Sequence, residues 1–347
     1  MKIDLHTHIL PDSWPNWCEQ FGTDGFAQLE HADGCRAKIW IDGEFFREVE
    51  SNCWDPIQRI QECDAARVNV QVLSTVPVLF HYWAPPHAAH DTSRFLNDHI
   101  AGVVTNHPDR FIGLGTIPLQ DTPRAIQELE RCQAELKLPG VEIGTHVDGH
   151  NLDDPRFRDL FAAAEQLGMA IFVHPWAMLG AERMRKYWLR WLVGMPAETS
   201  LAICSLIFSD TMQKFPKLRL AFAHGGGAFP FTLGRIERGY NVRPDLCAPH
   251  TSVPPREQIR SIYLDTLVHD ANALRYLIDL FSPERLALGS DYPFPLGEAE
   301  AGSLIESMDD LTDEVKHRLL AGTALEFLNL AAENYAASGS SSSTSSG

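Results

Sequence analysis

The sequence predicts an α/β protein, a (β/α)8 TIM barrel with a small β-hairpin insertion after the first strand, and three observations lead there. Eight short β-prone runs alternate with helical stretches along almost the whole chain, which argues for a parallel sheet. The length of 347 residues suits one closed barrel, and no Gly-rich nucleotide fingerprint follows any strand as an open, doubly wound sheet would favour. Metal-capable side chains stand at the ends of four of the eight runs, where barrels of this class carry their function.

The first run, "MKIDLHTHILP", ends in His6 and His8. In an extended segment these two side chains share a face about 6.6 Å apart, close enough for both imidazoles to reach one ion. Residues 14–53 interrupt the alternation: in "AKIWIDGEFFREV" two β-prone runs flank Asp42-Gly43, a strong signal for a two-residue hairpin turn. Asp55-Pro56 then opens a helix to about Arg67, followed by the strand "VNVQVLSTV", a helix from about Thr92 to Asn106, and the strand "FIGLGTI". The helix of "TPRAIQELERCQAEL" leads to "GVEIG", and that of "PRFRDLFAAAEQLG", ending at Gly168, leads to "MAIFVH". A long helical region, "PAETSLAICSLIFSDTMQKF", precedes "LRLAFAH", and "SIYLDTLV" and "RLALGSD" complete the eight. Residues 1–335 form the barrel domain, and the serine-rich residues 336–347 lack the apolar content to join a core and are expected to be a disordered tail.

Composition narrows the function. A formal charge of −17 without a basic stripe opposes nucleic-acid binding, and an anionic substrate would need local arginines or a metal to overcome that background. The seven cysteines lie far apart with no CxxC pair, which suggests neither a disulfide framework nor a thiolate zinc site. No apolar run long enough to span a bilayer is apparent, and no signal peptide opens the chain, so a soluble cytosolic protein is expected.

The strand ends carry the chemistry. His6, His8, His174 in "FVHPW" and Asp291 in "LGSDYP" supply nitrogen and oxygen donors of the kind zinc accepts, with room for a water whose pKa the ion lowers towards about 7. His224 in "FAHGGG" then suits a general base that takes that water's proton and later returns it. Gly225, Gly226 and Gly227 read either as a flexible turn or as a place where missing side chains admit backbone or substrate. The fourth strand offers no lysine to bridge two metals, so one ion is expected. Trp176, two residues beyond His174, is the tryptophan that belongs at the site; Trp188 and Trp191 fit a core equally well.

His6, His8, His174, His224 and Asp291, in this order at these strand ends, resemble the metal site of the amidohydrolase superfamily. The phrases "NCWDP", "STVPV", "FVHPW", "WLVGMPAET", "AHGGGAFPF" and "LGSDYPFPLGE" narrow the resemblance, which runs from Met1 to about Leu330, to its decarboxylases of 2-amino-3-carboxymuconate 6-semialdehyde. The resemblance implies a zinc-dependent, non-oxidative loss of carbon dioxide giving 2-aminomuconate 6-semialdehyde. In the kynurenine pathway of tryptophan breakdown this step diverts an intermediate from quinolinate and NAD formation. It implies too that Arg47 and Arg235 hold substrate carboxylates, Arg235 reaching into the neighbouring subunit of a homodimer, and that Trp176, Trp191 and Phe294 shape the pocket. From the residues alone Arg47 and Arg235 read more readily as surface charges than as substrate-binding groups. The fold and metal also fit another decarboxylase, a hydrolase of amides or lactones, or a metal-binding scaffold without chemistry.

Overall fold

A computed structural model of the chain describes residues 1–335; the serine-rich segment 336–347 lies outside the described residues. Eight parallel strands follow one another around a barrel in chain order: Ile3–Ile9, Val70–Thr75, Phe111–Thr116, Gly140–Gly144, Ala170–His174, Arg219–Phe222, Ile262–Asp265 and Leu286–Ala287. The ring closes through the Leu5 N–H, which donates to the Leu288 carbonyl at 2.8 Å, and the His8 N–H, which donates to Tyr292 O at 2.8 Å. Each strand coincides with one of the eight runs read from the sequence, because each is a short β-prone stretch buried on both faces.

The barrel interior divides in two. Its lower part is apolar: Val72, Leu114, Phe172 and Ala221 meet Phe327 and Leu328 of the C-terminal helix Thr323–Leu328, which closes that end. Its upper part carries the histidines. The first strand reaches both parts by a β-bulge, since Asp4 pairs with Gln71 but Thr7 with Leu73, leaving one residue extra. Consequently Leu5 joins the interior apolar cluster around Phe172, and the next residue, His6, also faces that ring at 5.0 Å between centroids. Strict alternation would have sent one of them outward.

Helix boundaries differ in places from expectation. The third helix spans Pro86–Asn106, six residues longer at its start than read from sequence, because Pro86 occupies the first turn, where its missing N–H costs nothing. The helix opened by Asp55 ends at Ala65, and Gly168 caps Arg158–Leu167 in the left-handed conformation at φ +66°. The segment Arg190–Phe208 is, by length and a mean hydropathy of 1.5, apolar enough to cross a membrane, contrary to the expectation that no run would be. Its Ala202, Ile203, Leu206 and Ile207 are buried in the core outside the barrel.

The insertion contains more than a hairpin. Asp42 and Gly43, at φ +51° and +77°, turn Arg36–Ile41 into Glu44–Glu50. A further strand, Ala27–Asp33, pairs antiparallel on the other side, and a short helix, Trp17–Phe21, packs beneath. This small sheet is seated on the barrel through Trp17, Phe26, Ile39 and Val49 against Leu79, Ala88 and Leu96. "AQLEHAD" escaped notice because six of its seven residues are exposed or only partly covered, on both faces, and give no clean two-residue period.

Candidate metal centre

His6, His8, His174 and Asp291 converge at the upper end of the barrel, each offering a ligand atom within 4.8 Å of the others. The Nε2 atoms of His6 and His8 face each other at 3.2 Å, and Asp291 Oδ1 lies 3.5 Å from the first and 3.2 Å from the second. The distant parts of the chain that carry them meet because strand order follows sequence order and the ring closes beside the first strand.

Their Nδ1 atoms fix what these nitrogens can do. His8 Nδ1–H donates to Thr75 O at 3.1 Å and His174 Nδ1–H to Pro175 O at 3.0 Å; a carbonyl only accepts, so the proton sits on Nδ1. His6 Nδ1–H donates to the buried carboxylate of Asp265 at 2.7 Å. All three Nε2 atoms therefore present lone pairs inward, and that of His174 is buried with no hydrogen-bond partner. An acceptor-only cluster of this density is satisfied by a cation, and donors of a tetrahedral ion with bonds of about 2.0–2.1 Å stand about 3.3 Å apart, as several of these do. The residues present fit a divalent metal.

Electrostatics point the same way. Burial, reinforced by the neighbouring imidazoles, holds His174 well below the usual histidine range, and burial lowers His8, so both stay neutral and able to bind a metal. Asp291 is buried, which by itself would raise its pKa, but the facing histidines bring it well below the ordinary carboxylate value. His224 is raised despite burial because the Asp291 carboxylate, with Oδ2 3.8 Å from His224 Nε2, favours its charged form.

A cleft opens over the cluster, with Phe46, Arg47, Trp176, Trp188, Trp191 and Phe294 around it and His8, His174 and Asp291 in its wall. Arg47 projects from the insertion with its guanidinium carbon 4.6 Å from the Phe294 ring centre and 5.7 Å from that of Trp191. It makes no ion pair with any described residue, and burial lowers its pKa. Trp191 stands on a π-helical turn, Arg190–Gly194, a local widening that recurs at functional sites. His224 borders an adjoining cleft that shares Trp191, Met195 and Leu296 with the first. Arg235 is exposed on the helix Phe229–Val242 and lines neither cleft.

Three polar residues at the site were not picked out from the sequence. Asp265 ends the seventh strand, the position that singled out the histidines, and the same criterion would have found it. Arg59 is fully buried and donates to the His8 carbonyl at 2.7 Å and to Asn52 O at 3.0 Å, tying the first strand to the base of the insertion. Within an ordinary amphipathic helix it carries no signal. Glu142 lies inside the barrel with Oε1 3.7 Å from His8 Nδ1, neither oxygen hydrogen-bonded, and burial raises its pKa well above the usual value. Trp188 and Phe46 also border the cleft.

The amidohydrolase family model matches residues 3–330. A 2-amino-3-carboxymuconate-6-semialdehyde decarboxylase of Dictyostelium discoideum is 56% identical over 96% of this chain and 93% of its own length. The enzyme of the same name from Caenorhabditis elegans is 38% identical over 95% of this chain and 94% of its own. Among solved structures, the 5-carboxyvanillate decarboxylase LigW of Sphingomonas paucimobilis superposes with a TM-score of 0.80 at 25% identity, covering 95% of this chain and 99% of the other.

Proposed function

The chain belongs to the amidohydrolase family, within it to the 2-amino-3-carboxymuconate-6-semialdehyde decarboxylases, and is a metal-dependent carboxy-lyase; from that premise we propose its substrate, metal and residue roles. The substrate is 2-amino-3-carboxymuconate 6-semialdehyde, the product 2-aminomuconate 6-semialdehyde, and the metal a single zinc ion. The observation that carries the reading is an unpaired, aromatic-caged Arg47 set over a cluster of three inward lone pairs and a carboxylate. A substrate with two carboxylates, offered to a chain of net charge −17, needs such a cation, and guanidinium grips a carboxylate with two hydrogen bonds.

His6, His8, His174 and Asp291 would hold the ion, which would lower the pKa of a water towards neutrality and so supply a nucleophile. His224 would take up a proton from the attacking water as its hydroxyl adds to one end of the substrate's C=C bond, and deliver it to the other end, which bears the carboxylate. The C–CO2 bond then breaks, its electron pair restores the double bond, and the hydroxyl leaves. A proton has replaced the carboxylate. Arg47 binds a substrate carboxylate, and Trp176, Trp191 and Phe294 exclude bulk solvent. Arg235, exposed on its helix, completes the neighbouring site of a homodimer. The enzyme works in the cytosol, in the kynurenine pathway of tryptophan breakdown, where it limits quinolinate and NAD formation.

The test is a decarboxylation assay on zinc-loaded protein: the conjugated semialdehyde loses ultraviolet absorbance and releases carbon dioxide, and carboxylated phenols, amides and lactones serve as controls. Faster turnover of a carboxylated phenol than of the semialdehyde would overturn the substrate. Recovery of activity on mixing an Arg235→Ala with a His224→Ala variant tests the shared site; none in verified mixed dimers would end it.

A further inference from the structure

We propose that Asp265 is a positioning residue that holds a metal ligand and the proposed general base in fixed relation; this rests on the roles given above to His6 and His224. Asp265 is fully buried at the end of the seventh barrel strand, and its two carboxylate oxygens accept four hydrogen bonds. Oδ2 takes the His6 Nδ1–H at 2.7 Å and the His224 backbone N–H at 2.8 Å. Oδ1 takes the Gly225 N–H at 2.7 Å and the Leu267 N–H at 3.1 Å.

The backbone it grips is under strain. His224 stands at φ +57°, a left-handed conformation that side chains rarely adopt, and Gly225 follows at φ +59°. A Cβ on Gly225 would meet Val268 Cγ1 at 2.5 Å, so glycine is required there. Successive N–H groups aimed at one carboxylate form a small anion nest, and that contact opposes relaxation of the turn. The same oxygen that orients His6 therefore fixes the base of the His224 side chain, so ligand and base keep their spacing through one carboxylate.

Asp265→Asn separates this from simple space filling. Each oxygen faces two N–H donors, so whichever way the amide turns, its NH2 group meets a pair of donors. Zinc affinity, measured by chelator competition, should fall 10–100-fold, and kcat at saturating zinc should fall 10-fold or more. In a His224→Ala background the variant should lower zinc affinity by the same factor but change residual kcat less than 2-fold. Zinc affinity and kcat both within 2-fold of the parent would overturn the proposal, as would an equal loss of kcat in both backgrounds. If Asp265→Asn does not fold, the unaltered chain loaded with cobalt(II) decides. A paramagnetically shifted imidazole N–H signal that persists in D2O is expected from the shielded His6 Nδ1–H, and rapid exchange of every such signal overturns the assignment. Normal turnover of His224→Ala alone would remove the base while leaving the zinc-affinity result to stand.

Discussion

Metal-capable groups and Arg47 share one cleft but are held by different means. His6, His8 and His174 are at most 2% exposed, and each has Nδ1 locked to a carbonyl or carboxylate of the barrel. Arg47 stands on a hairpin whose tip is exposed, placed by aromatic rings and by packing of the small sheet on the barrel. A closed ring of strands fixes atoms to within a fraction of an ångström, as chemistry requires; a sheet attached at one face fixes them less tightly and can vary with the ligand. The comparison predicts that damage to the barrel end appears in metal content and kcat, and damage to the insertion in KM.

The largest effect is expected from His174→Ala. It removes a proposed ligand whose depressed pKa keeps it unprotonated, so that protons would compete with an ion only at lower pH than for an ordinary imidazole. Lewis-acid stabilisation is worth several kcal/mol, so turnover should fall by about 10³-fold or more, with zinc lost on dialysis. Chelation of the parent should do the same reversibly. Zinc retained at full occupancy in His174→Ala would remove it from the ligand set.

His224→Ala is expected next, lowering kcat about 10²–10⁴-fold while zinc content stays at the parent level. The two readouts together decide its role: lost zinc would make it a ligand, and unchanged kcat a bystander.

Legibility in the sequence follows the same division. The barrel repeats one unit eight times, and its strands are buried on both faces, so composition and period agree and all eight strands could be read; His6, His8 and His174 were visible because they stand at strand ends, and Asp291 because it lies just beyond one. The insertion sheet is half exposed, and its first strand, Ala27–Asp33, lacks a period to read. Arg59 and Glu142 were missed for another reason. Their place at the site depends on which residues face them across the barrel, and spacing along the chain does not encode that.

Arg47→Ala tests the insertion's half of the comparison. Hydrogen bonds to charged groups contribute about 1.5–3 kcal/mol, so KM should rise about 10–100-fold with kcat changed much less. Arg47→Lys should recover only part of that, because an ammonium cannot offer the two-pronged grip. Equal loss in kcat and no change in KM would place Arg47 with the chemistry instead.

Gly43→Ala should give the smallest effect. Gly43 sits at φ +77° in the two-residue turn four residues before Arg47, and an added Cβ meets nothing within 4 Å. The cost is therefore one of backbone conformation alone, about 1–2 kcal/mol, confined to the hairpin. It should loosen Arg47 without touching the strand ends, raising KM a few-fold at constant kcat and zinc content. Gly43→Asn, which tolerates positive φ better than alanine, should lie closer to the parent. If Gly43→Ala lowered kcat or zinc affinity as much as it raised KM, the two regions would be mechanically one, and the division between a rigid chemical half and a yielding recognition half would fail.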